Sequence, residues 1–210
     1  MRQNQNQKIL RMVELAMLGA LVVVLQFIGS FLTGITGLPM SLVLIPIVVG
    51  AFHMGPLAGA FLGGVFGLMT VIMGFSGADM FTNILFTNFG TVKMLICVTL
   101  CFAKAIGAGL GAGWIYQALN KLFHGKKITL ATVLASVSAP IINTGLFVLA
   151  MLLFFFEDMG MVQAQLGIAA SPSFKFIFLG LAGWNFVSEF LINLIVSPAV
   201  ARLVGIIKKR

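Results

Sequence analysis

The sequence predicts an all-α membrane protein of six transmembrane helices with both termini in the cytoplasm. Of its 210 residues, 60% are hydrophobic and only 9% charged, and the apolar residues gather in long runs separated by basic clusters. A soluble domain is about 45–50% apolar and about 25% charged, so too few charges are present to cover a wet surface. Runs of roughly 17–25 apolar residues have the length of a helix that crosses a bilayer. Short alternating strands with aromatic girdles are not evident, so helices rather than a barrel satisfy the backbone.

The first span covers residues 9–31, after Arg2, Lys8 and Arg11. It is too long for a signal peptide and lacks a small-residue cleavage site, so it is expected to be retained. A second, shorter span covers 38–52. The brief link His53, Met54 and Gly55 then leads to Pro56, which opens a third span at 56–74. The fourth span covers 91–119, the fifth 128–156 and the sixth 174–207. Ten of the thirteen basic residues lie at the start, in the break holding Lys121, Lys126 and Lys127, and at or near the end. With the N-terminus inside, all three clusters fall in the cytoplasm, as the bias of Lys and Arg toward cytoplasmic loops requires. Asp79, Glu157 and Asp158 fall outside. No basic face interleaved with aromatics tracks a phosphate backbone, so the +8 formal charge does not indicate nucleic acid. The whole chain, 1–210, reads as a single transmembrane domain.

Small residues recur at four-residue spacing: Gly59, Gly63 and Gly67; Gly107 and Gly111; Gly109 and Gly113; Ala16 and Ala20. Such stripes let helix backbones approach closely in lipid. Most read as internal packing; the Ala16/Ala20 pair on the first helix is also open to docking a partner. The connections expected outside, at 32–37, 75–90 and 157–173, read as lids over a site or as passive linkers. Asn83 and Asn88 lie in the second of them.

Ionisable residues inside a span cost about 2.5–3.5 kcal/mol near its centre, so they have a partner or a wet cavity. Lys104 lies mid-way along the fourth span and Glu189 mid-way along the sixth. They are read either as a mutual ion pair or as the lining of a solute cavity. Asn185, Glu189 and Asn193 are four apart and share one helix face. Trp184 adjoins Asn185, and Asn143 lies mid-span near Pro140. A pocket needs an apolar wall and a few convergent polar groups, which this set supplies. Cys97 and Cys101 have no further ligand placed to complete a metal site. Phosphate-binding loops, H-E-x-x-H and G-x-S-x-G are all missing, so neither ATP hydrolysis nor an intramembrane enzyme is expected, and no cofactor or metal. The residues point to a chain that binds and moves a small solute.

The chain resembles a substrate-binding S component of the energy-coupling factor (ECF) vitamin transporters. The resemblance is carried by Ala16-x-x-x-Ala20, by the stretch Leu38-Pro39-Met40-Ser41-Leu42-Val43-Leu44-Ile45-Pro46, and by Gly55-Pro56-Leu57-Ala58-Gly59-Ala60. The Lys104 region, Asn143-Thr144-Gly145 and Asn185-x-x-x-Glu189 add to it. It implies a six-helix domain of a bacterial cell membrane that binds one water-soluble vitamin near its outer face. The connections between spans one and two, three and four, and five and six would gate that site. It further implies that Ala16 and Ala20 dock a membrane coupling subunit carried by two ATPase subunits. Among such components the chain is most similar to pantothenate-type members, with Lys104 or Lys93 to pair with the vitamin carboxylate. The implied binding set is Asn83, Asn88, Lys93, Lys104, Asn143, Trp184, Asn185 and Glu189. Riboflavin, stacked on Trp184 and phenylalanines, is the alternative ligand; folate, hydroxymethylpyrimidine and a free-standing solute carrier stay open.

Overall fold

The computed structural model describes the backbone of residues 2–36 and 41–207, and the side chains of 6–32 and 41–206. The chain is helical, 89% of it, with no strand among the described residues. Helix α1 (Arg2–Thr36) is followed by α2 (Leu44–Met54), α3 (Pro56–Ser76) and the short α4 (Met80–Thr87). Helices α5 (Gly90–Leu122) and α6 (Ile128–Phe154) come next, then a 3-10 turn (Phe156–Asp158) and α7 (Met159–Gln165). Finally α8 (Ser173–Lys175) runs through a π-helical stretch (Phe176–Gly183) into α9 (Trp184–Ile207). Among the described residues five helices are long and apolar enough to cross a membrane, and α2 is a shorter apolar helix.

Three expectations shift. The second apolar segment is helical only over Leu44–Met54; at 11 residues this helix is about 16 Å long, half the hydrocarbon thickness. Pro46 sits in its first turn, where a missing N–H costs nothing. Gly55, at φ 104°, then breaks the chain before Pro56 opens α3. The link expected at 32–37 is helical as far as Thr36, whereas Leu38, Pro39 and Met40 lie outside the described residues, as do Lys208, Lys209 and Arg210. The two longer outer connections are also folded. Asp79 caps α4, accepting from Thr82 N at 3.2 Å and from Thr82 Oγ1 at 2.6 Å. The second connection holds the 3-10 turn and α7.

The glycine stripes on α5 serve two neighbours. On α3, Gly59 faces the Gly109 carbonyl, Gly63 that of Ala105 and Gly67 that of Cys101, so the two backbones touch along an antiparallel ladder. A methyl group added at Gly59 would lie 2.6 Å from Gly109 O. Gly107 and Gly111 turn instead to Leu146 and Ile142 of α6. Close approach of this kind substitutes for the hydrophobic drive that lipid does not provide.

Two apolar cores result. The inner one joins Val43, Leu44, Ile47, Leu62 and Phe66 to Ala105, Ala108 and Ala112 of α5, to Ala131, Ala135 and Ala139 of α6, and to Val200 and Val204 of α9. The outer one joins Leu85 and Phe86 of α4 to Leu100, Met151, Phe155, Met159, Val162 and Ile177. On α5, α6 and α9 the residues between the two clusters include Lys104, Asn143 and Glu189. The outward surface is apolar, as a lipid-facing surface must be: Leu57, Val92 and Ile195 are among its most exposed side chains.

Candidate functional site

A cavity of about 490 Å³ opens between the two cores. Its floor and sides come from α5 (Cys97, Cys101, Lys104), α6 (Asn143, Thr144, Phe147, Met151) and α9 (Asn185, Glu189). Gln26 and Ser30 of α1, Ser41, and Phe66 and Thr70 of α3 close one flank. Asp79, Phe81, Thr82 and Leu85 of the α4 region, Leu166 after α7, and Gly180 to Ala182 of the π-helical stretch close the outer end.

Glu189 is 1% exposed and is held at both oxygens. Asn143 Nδ2 donates to Oε2 at 3.3 Å, and Asn185 Nδ2 donates to Oε1 at 3.2 Å. Its own backbone carbonyl accepts from Asn193 Nδ2 at 2.8 Å. Among the described residues Lys104 makes no ion pair, with Glu189 or any other carboxylate. Its Nζ lies 5.3 Å from the centre of the Phe147 ring, a cation–π contact on the cavity wall. Two further polar atoms on the cavity lining, Asn143 Oδ1 and Thr144 Oγ1, are buried and have no hydrogen-bond partner among the described residues, and the Ser41 hydroxyl faces Glu189. Buried polar atoms are rarely left so, and at a concave site they are the groups offered to a ligand.

Of the eight residues expected to bind substrate, Lys104, Asn143, Asn185 and Glu189 meet on this cavity. The other four stand apart from its lining. Asn83 Nδ2 donates to Gly74 O at 2.9 Å and fastens α4 to the end of α3. Asn88 Nδ2 donates to Gln165 Oε1 at 3.0 Å, and Lys93 pairs with Asp158. These two contacts tie the α4–α5 corner to the 3-10 turn and α7. Trp184 is 58% exposed.

Sequence reasoning missed Ser41, Thr70, Asp79, Gln26 and Ser30. Gln26 and Ser30, four apart, both donate to Met73 Sδ, at 3.5 and 3.2 Å. They are the only amide and hydroxyl side chains in the outer half of the first apolar run, and that was the available signal. Cys97 and Cys101 are free thiols on the cavity wall, and no cluster of metal-ligating side chains occurs among the described residues.

Before the cavity-lining Gln26 and Ser30, α1 packs on α2 and α3 through Leu15, Leu18 and Val22, while Ala16 and Ala20 are exposed. Glu14 Oε2 bonds His53 Nε2 at 3.1 Å, joining α1 to the end of α2.

The model of the ECF transporter substrate-specific component family matches residues 10–201. The chain belongs to that family. No curated protein matches it. ECF substrate-specific components are substrate-binding subunits of transporters, not enzymes, and work with a module made of a coupling subunit and ATPases. The cavity and the exposed face of α1 are therefore features of a membrane transport component.

Proposed function

We propose that the chain, as one six-helix domain of a bacterial cell membrane, captures pantothenate from outside and delivers it inward with a coupling subunit and two ATPases. The observation that carries this reading is Lys104: a cation on the wall of a cavity, within ion-pair distance of no carboxylate among the described residues. Pantothenate has one carboxylate, one amide, two hydroxyls and a geminal dimethyl group. Lys104 offers a charge-assisted bond to the carboxylate. Ser41, Thr144 and the Asn143 carbonyl oxygen offer partners to the hydroxyls and the amide. Leu85, Leu100, Phe147 and Met151 offer an apolar wall to the methyl groups. At about 490 Å³ the cavity is of the size that encloses a small ligand.

In this reading α4 and α7 cover the outer mouth, joined by the Asn88–Gln165 and Lys93–Asp158 contacts, and opening them admits the vitamin. Asn83 and Lys93 then act on the cover rather than on the ligand. Ala16 and Ala20 present the docking face to the coupling subunit, which distinguishes the chain from a free-standing carrier.

Riboflavin is the second reading, favoured by Phe66, Phe81 and Phe147 on the cavity wall. The ligand retained through detergent purification separates the two. Pantothenate identified by mass spectrometry supports the proposal. A yellow preparation with flavin absorbance replaces it with riboflavin.

A further inference from the structure

Beneath the cavity floor, α6 and α9 bury a second set of polar side chains. On α9 these are Asn193 and Ser197, and on α6 Thr132 and Ser136, none more than 2% exposed. Three of the four make a hydrogen bond, Asn193 through the Nδ2 bond to Glu189 O already described. Thr132 Oγ1 donates to Ile128 O at 2.9 Å, and Ser197 Oγ donates to Leu194 O at 2.7 Å. The second bond has a cause in the sequence: Pro198 has no N–H, so the Leu194 carbonyl lacks its helical donor, and the Ser197 hydroxyl replaces it.

Ser136 Oγ and Asn193 Oδ1, in contrast, have no hydrogen-bond partner among the described residues. Pro140 deepens the deficit on α6. It lies four residues after Ser136, so the helical N–H that would reach the Ser136 carbonyl is missing. Ser136 thus offers a hydroxyl and a carbonyl, and Asn193 a carbonyl oxygen.

The two helices bring these groups to neighbouring levels of the seam, within about one helical turn of each other. The inner core joins Ala135 and Ala139 to Val200, and the outer core joins Met151 to Ile177, so α6 and α9 are antiparallel. The Asn143–Glu189 bond sets their register. From that bond, Ser136 lies about 10 Å inward along α6, and Asn193 and Ser197 about 6 and 12 Å inward along α9. Steps of seven and of four residues keep each side chain on the same face as its starting point. Nearest Asn193 in this register is Ala139, which is fully buried and has no polar atom to give.

Polar atoms inside hydrocarbon must be satisfied internally, and ordered water with about three bonds is the usual partner where protein supplies none. We infer that the α6–α9 seam is a water site, in which at least one buried water bridges Ser136 and Asn193 under the Asn143–Glu189 floor. One molecule balances the set. It accepts from the Ser136 hydroxyl and donates to Asn193 Oδ1 and to the Ser136 carbonyl.

The sign of a stability change tests this. Deleting a polar atom that is truly unpaired leaves stability unchanged or raises it, whereas deleting one held by water lowers it. Ser136→Ala should lower Tm of the full chain in detergent by about 2–8 °C; Asn193→Leu, which also loses the Nδ2 bond to Glu189 O, should lower it more. The double variant should lose less than the sum, because both residues hold the same water. An unchanged or raised Tm for Ser136→Ala overturns the inference. Should Asn193→Leu fail to fold, Ser136→Ala decides, together with density at a resolution that shows ordered water. A peak within hydrogen-bond distance of Ser136 Oγ and Asn193 Oδ1 supports the site; an empty seam at that resolution overturns it.

Discussion

Removing the Lys104 ammonium should separate binding from stability. Lys104 touches the Phe147 ring and acts on the buried Glu189 carboxylate only from beyond ion-pair distance, so Lys104→Ala is expected to lower the Tm of the unliganded chain less than Glu189→Leu does. The same change should weaken vitamin binding by about ten- to hundredfold, the worth of a charge-assisted hydrogen bond of roughly 1.5–3 kcal/mol. Glu189 is expected to behave oppositely. Glu189→Leu takes the acceptor from two asparagine amides at once and leaves the buried Asn143 donor unpaired, at about 1–3 kcal/mol, while the half-buried Asn185 can turn to the cavity. A drop in Tm follows, measurable without ligand; an unchanged Tm would show that the carboxylate is not structural. Both residues were legible in the sequence because a mid-span charge is too costly to be incidental. Their relation was not. Whether Lys104 and Glu189 neutralise each other depends on how α5 and α9 are rotated, which single-sequence spacing does not contain. Nor did it separate Trp184 from Asn185: adjacent helical residues point about 100° apart, and one reaches the cavity while the other is exposed.

At the scale of elements, α3 and α5 make the sharpest structural prediction. Gly63 and Gly64 are neighbours in sequence and opposites in packing. A methyl group at Gly63 meets the Ala105 carbonyl, whereas nothing lies within 4 Å of one at Gly64. Gly63→Ala should destabilise by about 1–3 kcal/mol through overpacking. Gly64→Ala should be neutral or stabilising by up to about 1 kcal/mol, since Ala is the better helix former. Equal Tm values for the two variants would mean that the α3–α5 ladder is wrongly registered. In the proposed function the exposed Ala16 and Ala20 of α1 form the docking face, so Ala16→Trp or Ala20→Trp should abolish uptake while leaving ligand binding by the isolated chain intact. Uptake that survives both changes would remove the docking face. The long helices and the glycine stripes were readable because their period is regular over many turns. The short elements were harder. Residues 80–87 and 159–165 are two turns each and sit among Gly, Asn and Ser, so the sequence showed them as connections, lids or passive linkers, and not as helices; Asp79 ahead of α4 was a cap signal that went unread. The late start of α2 follows from Pro46, which has no N–H to give the Leu42 carbonyl and extend the helix backward, whereas its end at Met54, before Gly55, lies two residues past the expected 52.

For the whole molecule, the arrangement of charge predicts an orientation. Membrane-impermeant labelling should reach residues 157–173 from outside, and residues 121–127 only from inside. Labels that reach 121–127 from outside would invert the chain and place the cavity on the wrong side for capture. The cavity lies between two dry cores, so a ligand held there is largely removed from water, and its charge must be met by the protein. That is the central claim: a small carboxylate bound in the cavity and neutralised by Lys104. Calorimetric titration of the purified chain and of Lys104→Ala, each with pantothenate and with its alcohol analogue, tests it most directly. In the analogue a hydroxymethyl group replaces the carboxylate and the rest of the molecule is unchanged. The unaltered chain should prefer pantothenate over the alcohol by about ten- to hundredfold, and Lys104→Ala should erase that preference by losing affinity for the acid alone. A preference that persists in Lys104→Ala, or a chain that binds neither compound, would contradict the account.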